Sequence, residues 1–338
     1  MDLAEFDYAL PADRIAQHPA EPRDSARLLV DAGPGAEPSH RTVTDLPELV
    51  GPGDLLVIND TRVLHARLLL RKPTGGEVEV LVLEPVDDGW EALVKPSRKV
   101  RPGTVLHPRD GSDSFAVEVG EDLGDGRRRV RIDTAHDEMA LLERHGDVPL
   151  PPYITEPLAD VSRYQTVYAD RPASVAAPTA GLHLTPDVLD RCVAAGASIA
   201  RVELVVGIGT FRPITATTIE DHVMHAETYS VPEETMAACA TARRVLAVGT
   251  TTVRALESAA AREQLDGRTD LFIHGTYDWK VVDAMLTNFH VPRSSLLVMI
   301  DSFVGPRWRN LYATALAEGY RFLSFGDAML LQRAKGDA

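Results

Sequence analysis

The stretch Arg244-Val245-Leu246-Ala247-Val248-Gly249-Thr250-Thr251-Thr252-Val253-Arg254 decides the fold class, because it joins a predicted strand to a predicted helix. The apolar run within 244–249 is typical of a buried strand. Gly249 then punctuates the chain, and the threonine hydroxyls are suited to cap a helix over 251–262. A buried strand that leads directly into a helix is the repeating element of an α/β sheet. The N-terminus of such a helix favours a carboxylate or phosphate ligand.

The same alternation of strands and helices extends over the chain beyond residue 161. The other strands predicted there are 198–206, 271–273, 295–300 and 322–325. The other helices predicted there are 186–195, 233–243, 281–286 and 309–318. This pattern predicts an α/β domain in which a mainly parallel sheet carries helices on both faces. Ligands of such a sheet bind outside the carboxyl ends of its strands.

The pattern of apolar and turn residues changes at about Val63. From there, short apolar segments alternate with turn residues up to a proline-rich boundary near 149–153. The strands predicted in this region are 63–70, 77–83, 90–94, 105–106, 115–119 and 128–132. Short strands at regular spacing predict a small antiparallel all-β barrel or sandwich.

Length and composition bound the class of protein. At 338 residues the chain is long for one core, so two domains are expected. No run approaches the length of a membrane span, and the N-terminus lacks the regions of a signal peptide. Cys192 and Cys239 are too few for a disulfide framework or a zinc-ribbon site. We therefore expect a cytoplasmic protein without membrane contact.

The formal charge of −15 argues against indiscriminate binding of nucleic acid, which usually requires a basic excess. It does not exclude a local basic face. Basic residues cluster in three stretches, at 62–72, 95–101 and 127–131. Such clusters are more often solvated surface than binding sites. The acidic charge also allows a monomer.

Small residues dominate the segment Ser174-Val175-Ala176-Ala177-Pro178-Thr179-Ala180-Gly181-Leu182-His183-Leu184-Thr185. Pro178 and Gly181 make it a poor strand and a poor helix, so backbone and ligand or solvent must approach closely. Thr185 and the proline after it are suited to start a helix. A ligand-binding loop and an ordinary connection are equally compatible with this stretch.

The run Val205-Val206-Gly207-Ile208-Gly209-Thr210-Phe211-Arg212-Pro213 superficially resembles a dinucleotide-binding fingerprint. Arg212 stands where the third glycine is required, and Pro213 follows it, so no helix opens there. A Rossmann dehydrogenase or methyltransferase is therefore disfavoured. The two glycines are better explained by close approach of a ligand or another strand.

Imidazoles and a carboxylate lie together in the segment that contains His222, His225 and Glu227. The first interpretation is acid–base chemistry or substrate contact, with Glu227 orienting and charging His225. A capped turn without chemistry is the second. A metal site is the last, because no third ligand follows at convincing spacing.

Further polar groups end predicted strands or begin predicted helices. Asn59-Asp60-Thr61-Arg62 follows a buried strand predicted over 54–58, and Thr287-Asn288-Phe289-His290 forms a second cluster. Arg254 and Glu257 lie one helical turn apart, a spacing at which they would pair. Together at the rim of one sheet, these groups indicate a binding site.

With these residues, the chain resembles the S-adenosylmethionine:tRNA ribosyltransferase-isomerase family of the queuosine pathway. The matching motifs are ordered along nearly the whole chain. They are 6–8, 15–17, 21–25, 59–63, 72–76, 149–154, 163–168, 177–183, 207–213, 224–227, 249–257, 280–283, 287–290 and 324–329. In this family a small all-β module is inserted in a larger α/β domain. The resemblance therefore implies a discontinuous α/β catalytic domain over 1–62 plus 152–338 and an all-β domain over 63–151.

The resemblance also implies an activity. Family members transfer and isomerise the ribosyl group of S-adenosylmethionine onto 7-aminomethyl-7-deazaguanine in a tRNA anticodon, and the products are epoxyqueuosine, adenine and methionine. S-adenosylmethionine is then a co-substrate, the tRNA anticodon stem-loop is the partner, and no metal is expected. We assign the proton transfers to His225, Glu227 and His183. Fourteen further positions are assigned to substrate binding: Asp60, Arg62, Arg163, Tyr164, Gln165, Thr179, Gly181, Gly207, Gly209, Thr210, Thr250, Arg254, Asn288 and His290.

The chain departs from the family pattern at three places. Val206 stands where family members usually carry a histidine, and the segments 274–279 and 301–308 also differ. These departures keep an alternative open, in which a divergent member uses S-adenosylmethionine on a small-molecule acceptor rather than on tRNA. A non-catalytic RNA- or ligand-binding protein is disfavoured by the retained polar residues.

Overall fold

The computed structural model describes residues 1–111, 114–207, 214 and 216–334. Within this part of the chain the strands are β1 (Arg27–Val30), β2 (Ser39–Thr42), β3 (Asp54–Asn59), β4 (Arg62–Val63), β5 (Arg67–Arg71), β6 (Glu77–Val86), β7 (Gly89–Lys95), β8 (Thr104–Pro108), β9 (Ala116–Gly124), β10 (Arg127–Asp133), β11 (Pro172–Ser174), β12 (Ser198–Leu204), β13 (Glu227–Ser230), β14 (Arg244–Val248), β15 (Asp266–Thr269), β16 (Ala284–Asn288) and β17 (Ala328–Gln332). The α-helices are α1 (Glu138–His145), α2 (Pro186–Ala194), α3 (Glu233–Thr241), α4 (Thr250–Arg262), α5 (Ser295–Val304) and α6 (Trp308–Ala317).

The chain divides into two compact units. The larger consists of Met1–Arg62, Pro151–Arg171 and Ala177–Ala338, and the smaller of Val63–Leu150 and Pro172–Ala176. The short segment Pro172–Ala176 thus groups with the smaller unit, whereas the sequence-based boundary assigned it to the α/β domain. Val175 explains this grouping, because its side chain is buried in the hydrophobic core of the smaller unit.

The larger unit is built on a mixed sheet with the strand order β15-β13-β12-β3-β14-β16-β17-β1-β2. Its central strands β12, β3, β14 and β16 are mutually parallel. Strands β13, β15, β17 and β2 each form antiparallel pairs. The expectation of a mainly parallel sheet is therefore corrected to a mixed one with a parallel centre.

Two apolar runs adopt the opposite structure from the one predicted. The run predicted as a strand over 295–300 is helix α5, which begins where the Ser294 hydroxyl accepts a hydrogen bond from the Leu297 N–H at 3.3 Å. The run predicted as a helix over 281–286 instead leads into β16, which is buried along its whole length between β14 and β17. Short apolar runs carry no periodicity that separates a buried helix from a buried strand.

The predicted strands 271–273 and 322–325 are also wrong. The nearby strands are β15 and β17, which end before the first and begin after the second of these segments. Residues 271–273 and 322–325 are instead irregular chain that connects these strands to their neighbours.

The smaller unit is a closed antiparallel barrel of six strands in the order β10-β7-β6-β5-β8-β9. Alternate residues point inward, as in β6, where Val78, Val80 and Val82 are buried and their neighbours are not. This period of two is the expected consequence of strand geometry. It fills the barrel with aliphatic side chains and with Trp90 and Phe115.

Candidate active site

The carboxyl ends of the four central parallel strands form one edge of the large sheet. Polar groups follow or end each strand: the Asn59 side chain on β3, the Gly207 N–H beyond β12, the Thr250 side chain beyond β14, and the Asn288 side chain on β16. Because parallel neighbours end at the same edge, these residues converge, as expected for ligand sites of such sheets. A cleft of about 760 Å³, including its open mouth, lies here.

We name this space the hydroxyl cleft, defined by Thr179, Thr250, Thr251, Asn288 and His290. The remaining lining is largely apolar and includes Ala177, Pro178, Ala180, Val206, Phe289, Leu296 and Leu323. An apolar space with a few convergent polar groups is the usual form of a small-molecule site.

The Asn288 side chain has a fixed orientation in this cleft. Its Nδ2 donates to the Leu323 carbonyl oxygen at 3.2 Å and contacts His183 Nε2 at 3.0 Å, while its Oδ1 accepts from the Thr179 hydroxyl at 2.9 Å. A carbonyl only accepts, so the amide nitrogen must face Leu323. The second amide hydrogen then points to His183, whose Nε2 must be the acceptor. Thr179 has given its single hydrogen to Asn288, so its oxygen is free only to accept.

His183 is fully buried behind this network. Burial, with smaller contributions from Arg321 and Arg23, lowers its pKa to about 4. It is therefore neutral near pH 7, and the proton resides on Nδ1. Its Nε2 is occupied by Asn288, so the structure gives it the geometry of a positioning group rather than of a proton carrier.

His290 is likewise a buried, neutral imidazole in the hydroxyl cleft. Burial lowers its pKa to about 3, and its Nε2 lies 3.0 Å from the Thr287 hydroxyl. Its backbone N–H donates to the Tyr312 hydroxyl at 3.0 Å, and its carbonyl accepts from the Tyr8 hydroxyl. The residue is thus anchored at both backbone and side chain.

The start of α4 forms the floor of the hydroxyl cleft. Gly249 has a φ of 89°, a conformation that favours glycine, and it turns the chain from β14 into the helix. Asn59 holds the next turn, because its Nδ2 donates to the Thr251 hydroxyl at 3.2 Å and to the Leu204 carbonyl at 3.0 Å. The free N–H groups of this helix end face the region where an anionic ligand group would be stabilised.

A second, adjoining cleft of about 440 Å³, including its open mouth, contains the ionisable residues; we name it the charged cleft, defined by His222, His225, Glu227 and Arg254. Glu227 and Arg254 are both buried and form an ion pair. Glu227 Oε1 also accepts from the Gly207 N–H at 2.8 Å. Arg254 donates through Nε to the Leu271 carbonyl and through Nη2 to the Thr269 carbonyl, both at 3.3 Å. Each charge is therefore satisfied by a fixed partner.

This arrangement corrects the expected partner of Arg254. Glu257, one turn along α4, accepts hydrogen bonds at 3.0 Å from the backbone N–H groups of residues 280, 281 and 282. Arg254 instead crosses to Glu227 on β13. Glu227 is thereby held by Arg254 and by the Gly207 N–H, so both of its carboxylate oxygens already have a partner.

The two histidines of the charged cleft differ in exposure. His225 is exposed at the cleft wall, while His222 is partly buried. Partial burial, followed by the nearby His225, lowers the pKa of His222. His222 stacks edge-on against Phe272, with ring centroids 5.3 Å apart. His225 is thus the imidazole of this cleft with free access to a ligand.

Several predicted site residues lie away from the described linings of both clefts. Asp60 pairs with Arg201 at 3.4 Å, and partial burial raises its pKa. The Arg62 backbone N–H donates to the Arg171 carbonyl at 2.9 Å. Both residues follow β3, but they are not among the residues that line either cleft.

The predicted contact residues at 163–165 and Gly181 are held by other parts of the larger unit. Arg163 pairs with Glu21, Tyr164 is fully buried against Phe325, and the Gln165 carbonyl accepts from Arg23 at 3.1 Å. A Cβ on Gly181 would lie 2.0 Å from the Tyr168 hydroxyl oxygen, so only glycine fits there. The predicted residues Gly209 and Thr210 lie outside the described residues.

Sequence reasoning placed Asn59 and Thr251 in polar clusters without assigning them to the site, and it missed Leu296 and Leu323. Asn59 and Thr251 directly adjoin a buried strand and the helix start, so the strand-end rule was a sufficient signal for both. Leu296 lies in α5, which the sequence did not reveal as a helix, and it lines both clefts. Leu323 has a φ of 69°, and no sequence signal indicates this for a leucine.

The described residues contain no group of three or more His, Cys, Asp or Glu side chains arranged to hold a metal ion. In the same residues, no α-helix combines the length and the apolar character that crossing a membrane requires.

The chain is similar to known proteins over nearly its whole length. A model of the family described as "Queuosine biosynthesis protein" matches residues 3–331. A Rubrobacter xylanophilus protein named S-adenosylmethionine:tRNA ribosyltransferase-isomerase is 52% identical over 332 residues, which cover 98% of this chain and 98% of that protein. A Thermus thermophilus protein of the same name is 50% identical over 349 residues, with 97% and 99% covered.

A solved structure is also similar. The crystal structure of S-adenosylmethionine tRNA ribosyltransferase from Thermotoga maritima aligns with a TM-score of 0.55 and 35% identity, covering 96% of this chain and 99% of that one. Identity of this level over nearly the whole length, together with the family match, leaves one assignment. The chain belongs to the queuosine biosynthesis protein family and is an enzyme of the S-adenosylmethionine:tRNA ribosyltransferase-isomerase type.

Proposed function

We propose that this enzyme transfers and isomerises the ribosyl group of S-adenosylmethionine onto 7-aminomethyl-7-deazaguanine in a tRNA anticodon, giving epoxyqueuosine, adenine and methionine. The observation that carries the proposal is the pair of adjoining clefts at the carboxyl edge of the sheet. One cleft offers apolar walls with neutral polar groups, and the other offers a buried ion pair and an accessible imidazole. A reaction with a nucleoside donor and several proton transfers needs both kinds of surface.

The hydroxyl cleft suits the adenosine and amino-acid parts of S-adenosylmethionine. Its apolar residues match the faces of an adenine ring, and Thr179, Thr250 and Asn288 supply the polar contacts. The N-terminus of α4 supplies N–H groups for a carboxylate. His290, whose imidazole is neutral, adds no charge that would oppose the sulfonium.

The charged cleft suits the proton transfers. The sulfonium acidifies the adjacent C5′ hydrogens, so a base of ordinary strength can remove one, after which the ribose opens and adenine leaves. Adenine leaves more easily when its nitrogen is protonated, and the acceptor amine must be neutral to attack. We assign proton removal and return to His225. Glu227 and Arg254 keep the charge of this cleft balanced as a fixed ion pair. His183 positions the Asn288 side chain.

The test is incubation of the purified chain with S-adenosylmethionine and a tRNA that carries the deazaguanine amine, followed by mass analysis of the nucleosides and of the small products. Formation of epoxyqueuosine together with adenine and methionine is the expected result. Release of adenine while the tRNA nucleoside stays unchanged would instead favour a small-molecule acceptor. The buried, apolar Val206 in the hydroxyl cleft is the observation that keeps that second function in view.

A further inference from the structure

The barrel unit carries two groups of cationic side chains whose surroundings differ. The first group lies on β10, where every arginine has a carboxylate partner. The ion pairs are Arg127–Glu91, Arg128–Asp122 and Arg129–Glu121, each at 3.1 Å, and Arg131–Glu118 at 2.5 Å. A cation beside a carboxylate has little field left for an anionic partner, so β10 is a poor surface for a polyanion.

The second group surrounds the turn after β7. We name it the basic turn, defined by residues 95–101 with Arg71 and Lys72. Its cations are largely exposed: Lys95, Arg98, Lys99, Arg101 and Arg71. Within the part of the chain that the structure describes, none of these five forms an ion pair, and neither does Lys72.

The carboxylates closest in the strand ladder are already occupied. Glu77 lies opposite Arg71 but binds Arg109 at 2.9 Å. Glu79 lies opposite Lys95 but binds Arg67 at 2.7 Å. The positive charge of the basic turn is therefore not neutralised by its neighbours.

The basic turn is also held in one shape. Its centre is a 3₁₀ turn over Ser97–Lys99, and the side chain of Val100 is buried in the barrel core. Arg128, itself buried, donates from Nε to the Ser97 hydroxyl and from Nη2 to the Ser97 carbonyl, both at 3.2 Å. Lys72 donates from Nζ to the Lys99 carbonyl. The exposed cations thus project from an anchored backbone, which lowers the entropy lost on binding.

We propose that the basic turn is the surface with which the barrel unit binds the phosphate backbone of the RNA substrate. This inference rests on the proposed function, which identifies the polyanion as a tRNA. A membrane surface would require an exposed apolar anchor beside the charges. The apolar side chain of the turn, Val100, is instead turned into the barrel. On a chain of net charge −15, an uncompensated cluster is where a polyanion is attracted.

The experiment compares two triple variants of the full chain that each remove three positive charges from the barrel unit. The test variant is K95Q/K99Q/R101Q, in the basic turn. The control variant is R127Q/R129Q/R131Q, whose arginines lie on β10 and are paired with carboxylates. Affinity for a tRNA transcript is measured over a series of salt concentrations, and thermal unfolding checks that both variants are folded.

We expect the test variant to bind tRNA about 30-fold more weakly near 0.1 M salt and the control variant to change by less than about threefold. Loss of three phosphate contacts should also reduce the slope of log K against log salt by about two units. Affinity for S-adenosylmethionine alone should stay unchanged in both variants.

Equal weakening in the two variants would overturn the proposal, because it would indicate a diffuse field. Unchanged tRNA binding in the test variant would also overturn it. If that variant instead lost only its binding to phosphatidylglycerol vesicles, the basic turn would be a membrane-binding surface. The proposed function is judged separately, by whether the wild-type chain modifies the tRNA at saturating concentration. A wild-type chain that modifies tRNA while the test variant binds it normally rejects the basic turn and leaves the proposed function standing.

Discussion

The two clefts share a sheet edge and a wall, yet they organise polar groups in opposite ways. The hydroxyl cleft is built from neutral groups: Thr179, Asn288 and His183 form a chain of hydrogen bonds with a single direction. The charged cleft is built from full charges, with Glu227 and Arg254 paired inside the protein. This difference is the basis of the proposed division of labour, in which one cleft recognises the ligand and the other carries the proton transfers. Four changes test this contrast.

The largest effect should come from removing one partner of the buried ion pair. Glu227→Gln leaves the Arg254 charge buried without its counterion, and we expect a loss of about 3–5 kcal/mol in the free energy of unfolding. Denaturant unfolding measures it. Arg262→Gln is the control; it lies on α4, the helix that carries Arg254, and because its partner Asp270 is exposed the pair is worth about 1 kcal/mol or less. Similar losses in the two variants would show that the buried ion pair stabilises the protein no more than an exposed one does.

Acid should destabilise the protein through the hydroxyl cleft. The pKa values of His183 and His290 are about 4 and about 3, below the ordinary histidine value, so unfolding takes up protons as the pH falls below about 6.5. The stabilisation by neutral burial is complete above pH 6.5 and is lost as the pH falls toward each folded-state value. At pH 5.5 we expect a loss of about 3 kcal/mol relative to pH 7.5, shared between the two residues.

Denaturant unfolding at the two pH values tests this, with His183→Gln as the partner variant. Since glutamine does not titrate in this range, the pH-dependent loss should fall by about half. If the free energy of unfolding of that variant kept the wild-type pH dependence, His183 would not take up a proton on unfolding, which contradicts the effect expected from its burial.

The third effect concerns catalysis. His225→Ala removes the accessible imidazole of the charged cleft, and we expect kcat to fall about 100-fold, a typical contribution of a general acid–base group. Stability should change little, because His225 is exposed. The measurement is single-turnover release of adenine from S-adenosylmethionine, with His18→Ala, an exposed histidine outside both clefts, as the control. Near wild-type turnover in His225→Ala would remove this residue from the chemistry.

The smallest effect should distinguish a positioning group from a proton carrier. His183→Leu leaves the Asn288 amide without its acceptor, and we expect KM for S-adenosylmethionine to rise about tenfold, or about 1.4 kcal/mol. His183→Gln can place a carbonyl oxygen near the former Nε2, so it should restore most of the affinity. If His183→Gln instead lost kcat as strongly as His183→Leu, His183 would be a proton carrier and the contrast between the clefts would fail.

Much of this arrangement followed from local sequence patterns. The run at 244–254 indicated a strand that leads into a helix, and the structure has β14 and α4 there. The alternation after Val63 predicted antiparallel strands, and the structure closes them into a barrel. Both signals are local, because hydrophobic period and turn residues act within a few positions.

The rest depends on contacts distant in sequence. The apolar runs before β16 and in α5 fit either structure by their own periodicity, so their neighbours in the sheet decide. The pairing of Arg254 with Glu227 rather than Glu257 is similarly a tertiary choice, since Glu257 is taken by three backbone N–H groups. The role of His183 follows from the Leu323 carbonyl, which no pattern around either residue reveals.

The two clefts share a wall residue, because the Leu296 side chain lines both. A ligand that presses on one side of this leucine changes the space on the other side. If filling one cleft moves Leu296, thermodynamic linkage requires that each occupant alter the affinity of the other by the same factor. A single side chain at the start of α5 is thus the contact through which such coupling between the two clefts would pass.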